Sequence, residues 1–67
     1  MNAEARRSMR ITELTKYFLS TYNKTGGDAT HKANRAYRET LIRAKKYASA
    51  QTAQEYLTEI MERVSEK

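Results

Sequence analysis

Basic side chains recur through the stretch from Thr30 to Ala48, on the part of a helical circumference that its apolar residues leave free. Lys and Arg in such an array can contact phosphates, which gives affinity and salt dependence with little sequence specificity. The residues of this array are Lys32, Arg35, Arg38, Arg43, Lys45 and Lys46. A second cluster near the start of the chain, Arg6, Arg7 and Arg10, would extend the same track. We take all of these residues as candidates for nucleic-acid binding.

Few residues could support other chemistry. Catalysis requires a nucleophile with a base, paired carboxylates or a metal. His31 is the only imidazole, and we interpret it as an exposed residue at a helix start. The chain has no Cys, so neither a disulfide nor a thiolate metal site is available. We expect no catalytic residue, no metal, no cofactor and no enzymatic activity.

The segment Lys24-Thr25-Gly26-Gly27 contains residue types found in phosphate-binding loops. Such a loop requires glycines that precede Lys-Ser/Thr, between a strand and a helix. This segment does not meet that requirement. We interpret it as a turn that ends the first helix, because adjacent glycines accept positive φ at low steric cost.

The elements that position these residues are predicted from apolar residues at three- and four-residue steps. A first helix is predicted at about residues 3–23, with Asn2 able to cap its start. Fraying of residues 1–8 is an alternative that the sequence leaves open. The apolar stripe of this helix consists of Ile11, Leu14, Tyr17, Phe18 and Tyr22.

A second helix is predicted at about residues 29–48, with either Asp28 or Thr30 as its cap. Small residues and tyrosines form its apolar side: Ala33, Ala36, Tyr37, Thr40, Leu41, Ala44, Tyr47 and Ala48. The cations close to its end also stabilise the negative helix terminus, whatever else they do.

A third helix is predicted at about residues 52–65, because Thr52 and Glu55 have the spacing of a capping box. Continuity of the second and third helices is the alternative, since the intervening alanines tolerate a helix. The stripe of the third helix consists of Ala53, Tyr56, Leu57, Ile60, Met61 and Val64. Its outer side is acidic.

Three amphipathic helices and no strand pattern predict an all-α fold, a small three-helix bundle. An antiparallel hairpin of the first two helices would carry the third helix across it. With 67 residues, the chain is expected to form a single small helical domain. All five tyrosines lie on the predicted apolar stripes, so we expect them to belong to the core, with each hydroxyl reaching the rim for water.

The formal net charge is +5, from 13 basic and 8 acidic side chains. This balance favours nucleic acid as a partner, with an acidic protein surface or a merely solvated surface as alternatives. No apolar run approaches the length of a membrane span or a signal peptide, so we expect a soluble, cytoplasmic protein without a membrane partner.

A protein-interaction module is the alternative function. It would be a small regulator or inhibitor, of the kind encoded by phages and mobile elements, that covers part of a larger protein. Apolar residues that fall off the stripes would make its contacts, namely Ile42, Leu19 and Met9. Association into a homodimer is also possible on this hypothesis, because so short a chain gains from burying more surface.

The segment from Thr30 through Arg35-Ala36-Tyr37-Arg38-Glu39-Thr40-Leu41, followed by Thr52 and Glu55-Tyr56-Leu57, resembles the helical core-binding domain of tyrosine recombinases. The likeness covers about half of the chain and implies a module that grips DNA without recombinase activity. Its residue types occur in any amphipathic helix pair, so we assign no family from it.

Overall fold

The computed structural model describes residues 2–66 of the chain. It shows three α-helices that pack against one another in every pairing: α1 (Ala3–Lys24), α2 (Ala29–Ala44) and α3 (Ala50–Ser65). The described residues contain no strand, and the predicted all-α three-helix bundle is confirmed. None of these helices is both long and apolar enough to cross a membrane.

Side-chain contacts between the helices define their directions. Arg10 in α1 contacts Tyr47 just beyond α2, whereas Tyr17, further along α1, contacts Arg43. The residue numbers run in opposite senses, so α1 and α2 are antiparallel, as predicted. In contrast, Arg7 of α1 pairs with Glu59 of α3, and further along both helices the Thr12 hydroxyl accepts a hydrogen bond from Arg63. The residue numbers rise together, so α3 runs parallel to α1.

Local side chains fix the starts of the first two helices. The Asn2 side chain accepts a hydrogen bond from the Ala5 N–H at 2.8 Å, and the structure is helical from Ala3 onward. Of the two caps considered for α2, Asp28 is the one used, accepting the His31 N–H at 2.8 Å. The chain reverses before it through Gly27, whose φ of 116° is accessible to glycine at low cost.

The boundary between α2 and α3 differs from the predicted one. A turn does separate the helices, but α2 ends at Ala44 rather than residue 48, and α3 begins at Ala50 rather than residue 52. Ser49, not Thr52, is the cap, because its hydroxyl accepts the Thr52 N–H at 3.2 Å. Tyr47 lies in the turn after α2, and its carbonyl accepts a hydrogen bond from the Arg10 guanidinium at 3.0 Å.

The core is built from large side chains of α1 and α3 and small side chains of α2. Buried residues are Ile11, Leu14 and Phe18 in α1, Ala36, Thr40 and Ala44 in α2, and Ala53, Tyr56, Leu57 and Ile60 in α3. The large side chains of α1 and α3 therefore supply most of the buried apolar surface, and the small residues of α2 let that helix pack closely against them.

The tyrosines occupy the predicted core positions unevenly. Tyr56 is buried, and Tyr22 and Tyr37 are half-buried and pack against the core, whereas Tyr17 is half-buried beside Arg43 and Tyr47 is exposed. Tyr47 leaves the core because α2 ends before it, so its side chain no longer follows the apolar side of that helix. Met61, also on a predicted stripe, is 38% exposed.

The side-chain hydroxyl of Thr40 is fully buried and has no hydrogen-bond partner among the described residues. Leaving a buried hydroxyl unpaired costs free energy that a methyl group of similar shape would not. We therefore expect Thr40→Val to raise the free energy of unfolding by about 1 kcal/mol, measured by urea denaturation with an unchanged m-value.

Thr15→Val is the matched control. The Thr15 hydroxyl is part-buried on α1 and donates to the Ile11 carbonyl at 2.7 Å, so its removal is expected to bring no gain. Equal effects of the two substitutions, or a loss of stability in Thr40→Val, would show that the unpaired hydroxyl costs nothing.

Candidate nucleic-acid interface

One side of α2 faces away from the bundle because the opposite side is packed. Ala36, Thr40 and Ala44 point inward, so positions about half a turn away point to solvent. These positions hold Arg35, Arg38, Ile42 and Lys45, which we call the outer face of α2, and all four are exposed. Lys45 keeps right-handed helical angles as the C-cap and therefore stays in register with the helix. The face extends about 15 Å at 1.5 Å per residue.

Glu39 is the one acidic side chain within α2, and it is already paired. Its carboxylate accepts a hydrogen bond from Arg35 Nε at 3.0 Å, with both side chains largely exposed to water. An exposed pair at this helical spacing contributes only ~0.3–0.5 kcal/mol. Glu39 thus offsets part of the positive charge without holding Arg35 firmly.

The side chains of Arg38, Lys45 and Lys46 are exposed and contact no acidic or aromatic side chain within residues 2–66. Lys46 lies in the turn after α2. The remaining two candidates of this stretch lie on the flank toward α1. Lys32 is half-buried, and the Arg43 guanidinium lies 4.7 Å from the centre of the Tyr17 ring.

Two arginines of the N-terminal cluster are occupied by contacts that hold the fold together. Arg7 forms an ion pair with Glu59 and lies 5.3 Å from the centre of the Tyr56 ring, joining α1 to α3. The hydrogen bond with Glu59 raises the pKa of Arg7 above its ordinary value, against the smaller opposing effect of burial. Arg10 donates a hydrogen bond to the Tyr47 carbonyl, and its guanidinium lies 5.2 Å from the centre of the Tyr47 ring.

Arg6 is the exposed member of that cluster. It shares a shallow groove with Arg10, Met9 and Tyr47, which brings it next to the turn that carries Lys45 and Lys46. The structure therefore places the N-terminal cluster at the end of the α2 array, but leaves only Arg6 without a partner inside the described chain.

The acidic side chains are concentrated on α3. Residues 29–49 hold six basic side chains against the single Glu39, whereas α3 presents Glu55 and Glu62 as exposed carboxylates. Opposite charges therefore lie on different sides of a narrow bundle. A polyanion is attracted to the α2 side and repelled from the α3 side.

The apolar contact candidates separate into exposed and packed residues. Ile42 is 62% exposed and Met9 is 51% exposed, as their positions off the stripes predicted. Leu19 is instead half-buried and packs against the core, so it offers little surface to a partner.

His31 is exposed in the first turn of α2. In the part of the chain that the structure describes, no group of three or more His, Cys, Asp or Glu side chains comes close enough to hold a metal ion.

Three arginine–tyrosine contacts were not found by sequence reasoning. Each joins residues that are distant in the sequence: Arg7 with Tyr56, Arg10 with Tyr47, and Arg43 with Tyr17. A helical wheel treats each helix by itself and carries no signal for such pairs.

Arg7 and Arg6 are neighbours of the same type with different surroundings, so they form a matched pair for a stability test. We expect Arg7→Met to lower the free energy of unfolding by about 1 kcal/mol, because it removes an ion pair and a cation–π contact. For a chain of this size, that loss corresponds to about 4–8 °C in Tm. Arg6→Met is expected to change Tm much less in the same calorimetric scan, and equal losses would contradict the structural role of Arg7.

The chain was compared with protein-family models, with curated protein sequences and with solved structures, and no match was found in any of them. The resemblance of residues 30–41 and 52–57 to recombinase core-binding domains thus gains no support. The functional conclusion rests on the surface geometry and charge of the bundle.

Proposed function

We propose that this protein is a small, non-enzymatic nucleic-acid-binding protein with an accessory or regulatory role, and that the outer face of α2 is its contact surface. Arg38 and Lys45 contact backbone phosphates at the centre of the site, Arg35 and Lys46 contact them at its ends, and Arg43 and Lys32 flank it. The bound strand runs along α2, away from the acidic α3.

The observation that carries this proposal is the contrast between engaged and unengaged cations. Arg7 and Arg10 are held by intramolecular partners, whereas Arg38, Lys45 and Lys46 extend into solvent with no acidic partner among residues 2–66. Exposed cations that no acidic side chain neutralises are available to a polyanion. Lys45 and Lys46 also stabilise the negative end of α2, whereas Arg38 has no such task.

The chemistry of the surface also sets its specificity. Point contacts from Lys and Arg to phosphates position a protein without reading base edges. We therefore infer binding with strong salt dependence and weak sequence preference.

Substitution of two unengaged cations tests this proposal. We expect Arg38→Gln/Lys45→Gln to weaken binding of a labelled oligonucleotide about tenfold at low salt, measured by fluorescence anisotropy for both DNA and RNA. The slope of log affinity against log salt should fall by about 1.5, since two phosphate contacts are lost.

The control, Lys16→Gln/Arg63→Gln, removes the same net charge from other parts of the surface. It should retain most of the affinity and most of the salt slope. Absence of oligonucleotide binding by the unaltered protein at low salt would overturn the proposal, and so would equal losses in the two double variants.

The alternative of a protein-interaction module is favoured by one observation, the 62% exposure of Ile42 between flanking cations. A branched apolar side chain surrounded by charge suits a contact in which a partner's apolar residue is ringed by carboxylates. On this alternative, the partner is an acidic protein surface.

Ile42→Gln distinguishes the two functions, because it removes the apolar contact and keeps every cation. If the surface binds nucleic acid, the oligonucleotide affinity should stay within about twofold of the unaltered protein. If it binds a protein, immobilised unaltered protein should retain one host protein in stoichiometric amount, and Ile42→Gln should lose it.

A further inference from the structure

A polar cleft lies at the end of the bundle where α1 finishes and α2 begins. Its volume is 550 Å³, within the range of about 300–1,000 Å³ that is usual for small-molecule sites. The walls come from the last two turns of α1, the connection at Gly26, and one side of α2. The outer face of α2 borders the cleft through Arg35, which belongs to both.

Three basic side chains line this cleft from two different helices. Lys24 comes from the last turn of α1, His31 from the first turn of α2, and Arg35 from the next turn. No two of them are neighbours in the sequence, and the turn at Gly27 brings them together. The imidazole of His31 is packed close to that turn, since a Cβ added at Gly27 would lie 3.1 Å from its ring.

Neutral donors complete the lining. The hydroxyls of Ser20 and Tyr17 border the cleft and have no protein hydrogen-bond partner within residues 2–66. The Thr25 hydroxyl donates to the Thr21 carbonyl at 2.8 Å, and the Thr25 N–H donates to the same oxygen at 3.1 Å. The negative end of α1 is therefore partly neutralised where it meets the cleft.

Within residues 2–66, Glu39 is the only carboxylate that lines the cleft, and it is bound to Arg35 through Nε. A guanidinium has five N–H donors, so this pairing leaves others for a second oxygen ligand. Asp28, close by at the start of α2, accepts the His31 N–H as a cap. Lys24 and Arg35 against Glu39 leave the lining with one net positive charge, and its unused donors suit an oxygen anion.

We propose that this cleft binds a phosphate group, with Lys24 and Arg35 as its charged ligands, His31 beside them and the Ser20 hydroxyl as a neutral donor. The arrangement differs from a phosphate-binding loop, because side chains of two helices hold the anion and the glycines only turn the chain. In Lys24-Thr25-Gly26-Gly27 the glycines follow Lys-Thr, which excludes a phosphate-binding loop but does not bear on this cleft.

The inference goes beyond the proposed function, since the cleft would hold a phosphate compound even if the outer face of α2 bound no strand. Two sources of the phosphate share this chemistry. One is a free phosphate monoester such as a mononucleotide. The other is a phosphate of a nucleic-acid strand that lies on the outer face and reaches the cleft at Arg35.

The first experiment titrates the full chain with inorganic phosphate at constant ionic strength and follows backbone amides by NMR. We expect saturable shifts confined to the amides of residues 20–31 and 35. Lys24→Gln should weaken phosphate binding about threefold or more, whereas Lys16→Gln, which removes an exposed α1 lysine outside the cleft, should leave it nearly unchanged.

A gain-of-binding variant guards against loss through misfolding. Glu39→Gln removes the carboxylate that competes for Arg35 and should tighten phosphate binding about threefold. Glu13→Gln changes the net charge equally on a distant part of α1 and should not. Shifts spread evenly over the chain, or equal effects of the cleft variants and their controls, would overturn the inference.

Adenosine monophosphate and an oligonucleotide distinguish the two sources. If the phosphate is a free monoester, the mononucleotide should bind more tightly than inorganic phosphate and respond to Lys24→Gln. If it belongs to a strand, Lys24→Gln should weaken the oligonucleotide instead. A chain that binds the oligonucleotide through Arg38 and Lys45 yet shows no phosphate-dependent shift in the cleft would refute this inference alone and leave the proposed function standing.

Discussion

The close packing of α2 through small side chains is the constraint on which the rest of the molecule depends. Ala36, Thr40 and Ala44 are the only residues that this helix buries completely, so its axis can approach the large side chains of α1 and α3 closely. Tyr37 and Leu41 pack along the edges of this narrow stripe, and the remaining long side chains of α2 lie outside it. The packing thus decides where the basic residues lie, and the buried Thr40 hydroxyl is a cost of filling the stripe with a small residue of this shape.

Three arginines of this protein lie over aromatic rings and help to hold the bundle together, and the others do not. Arg7, Arg10 and Arg43 each lie over a tyrosine of another segment, so that flat guanidinium groups cover the seams between helices. Such contacts contribute only about 0.5–1 kcal/mol each at exposed sites. In a bundle with a small core they add to the contacts that hold the segments together. The cations that lack a ring, on the outer face of α2, carry no such structural task.

Sequence reasoning succeeded where the determining interaction is local. The starts of α1 and α2 depend on the side chains of Asn2 and Asp28, each of which accepts the backbone N–H three residues later. The sequence indicated Asn2 as the cap of α1 and left Asp28 and Thr30 as the two candidates for α2. It failed at the start of α3, where Ser49 and Thr52 are both competent caps. The Arg10 guanidinium, which binds the Tyr47 carbonyl from 37 residues away, is not visible to any local pattern. The exposure of Ile42 was predictable, but the cleft was not, because its lining comes from two helices that a turn brings together.

Arg35 connects the two surfaces of this protein, and its partner determines how they interact. In the free protein its Nε is bound to Glu39, an exposed pair that water and salt weaken. A phosphate in the cleft and a phosphate on the outer face would approach the same guanidinium from different sides. Because the guanidinium has donors besides Nε, either phosphate could bind Arg35 beside Glu39 without displacing it. On both proposals, the negative charge of this one acidic residue of α2 would then lower the affinity of the cleft and of the outer face together.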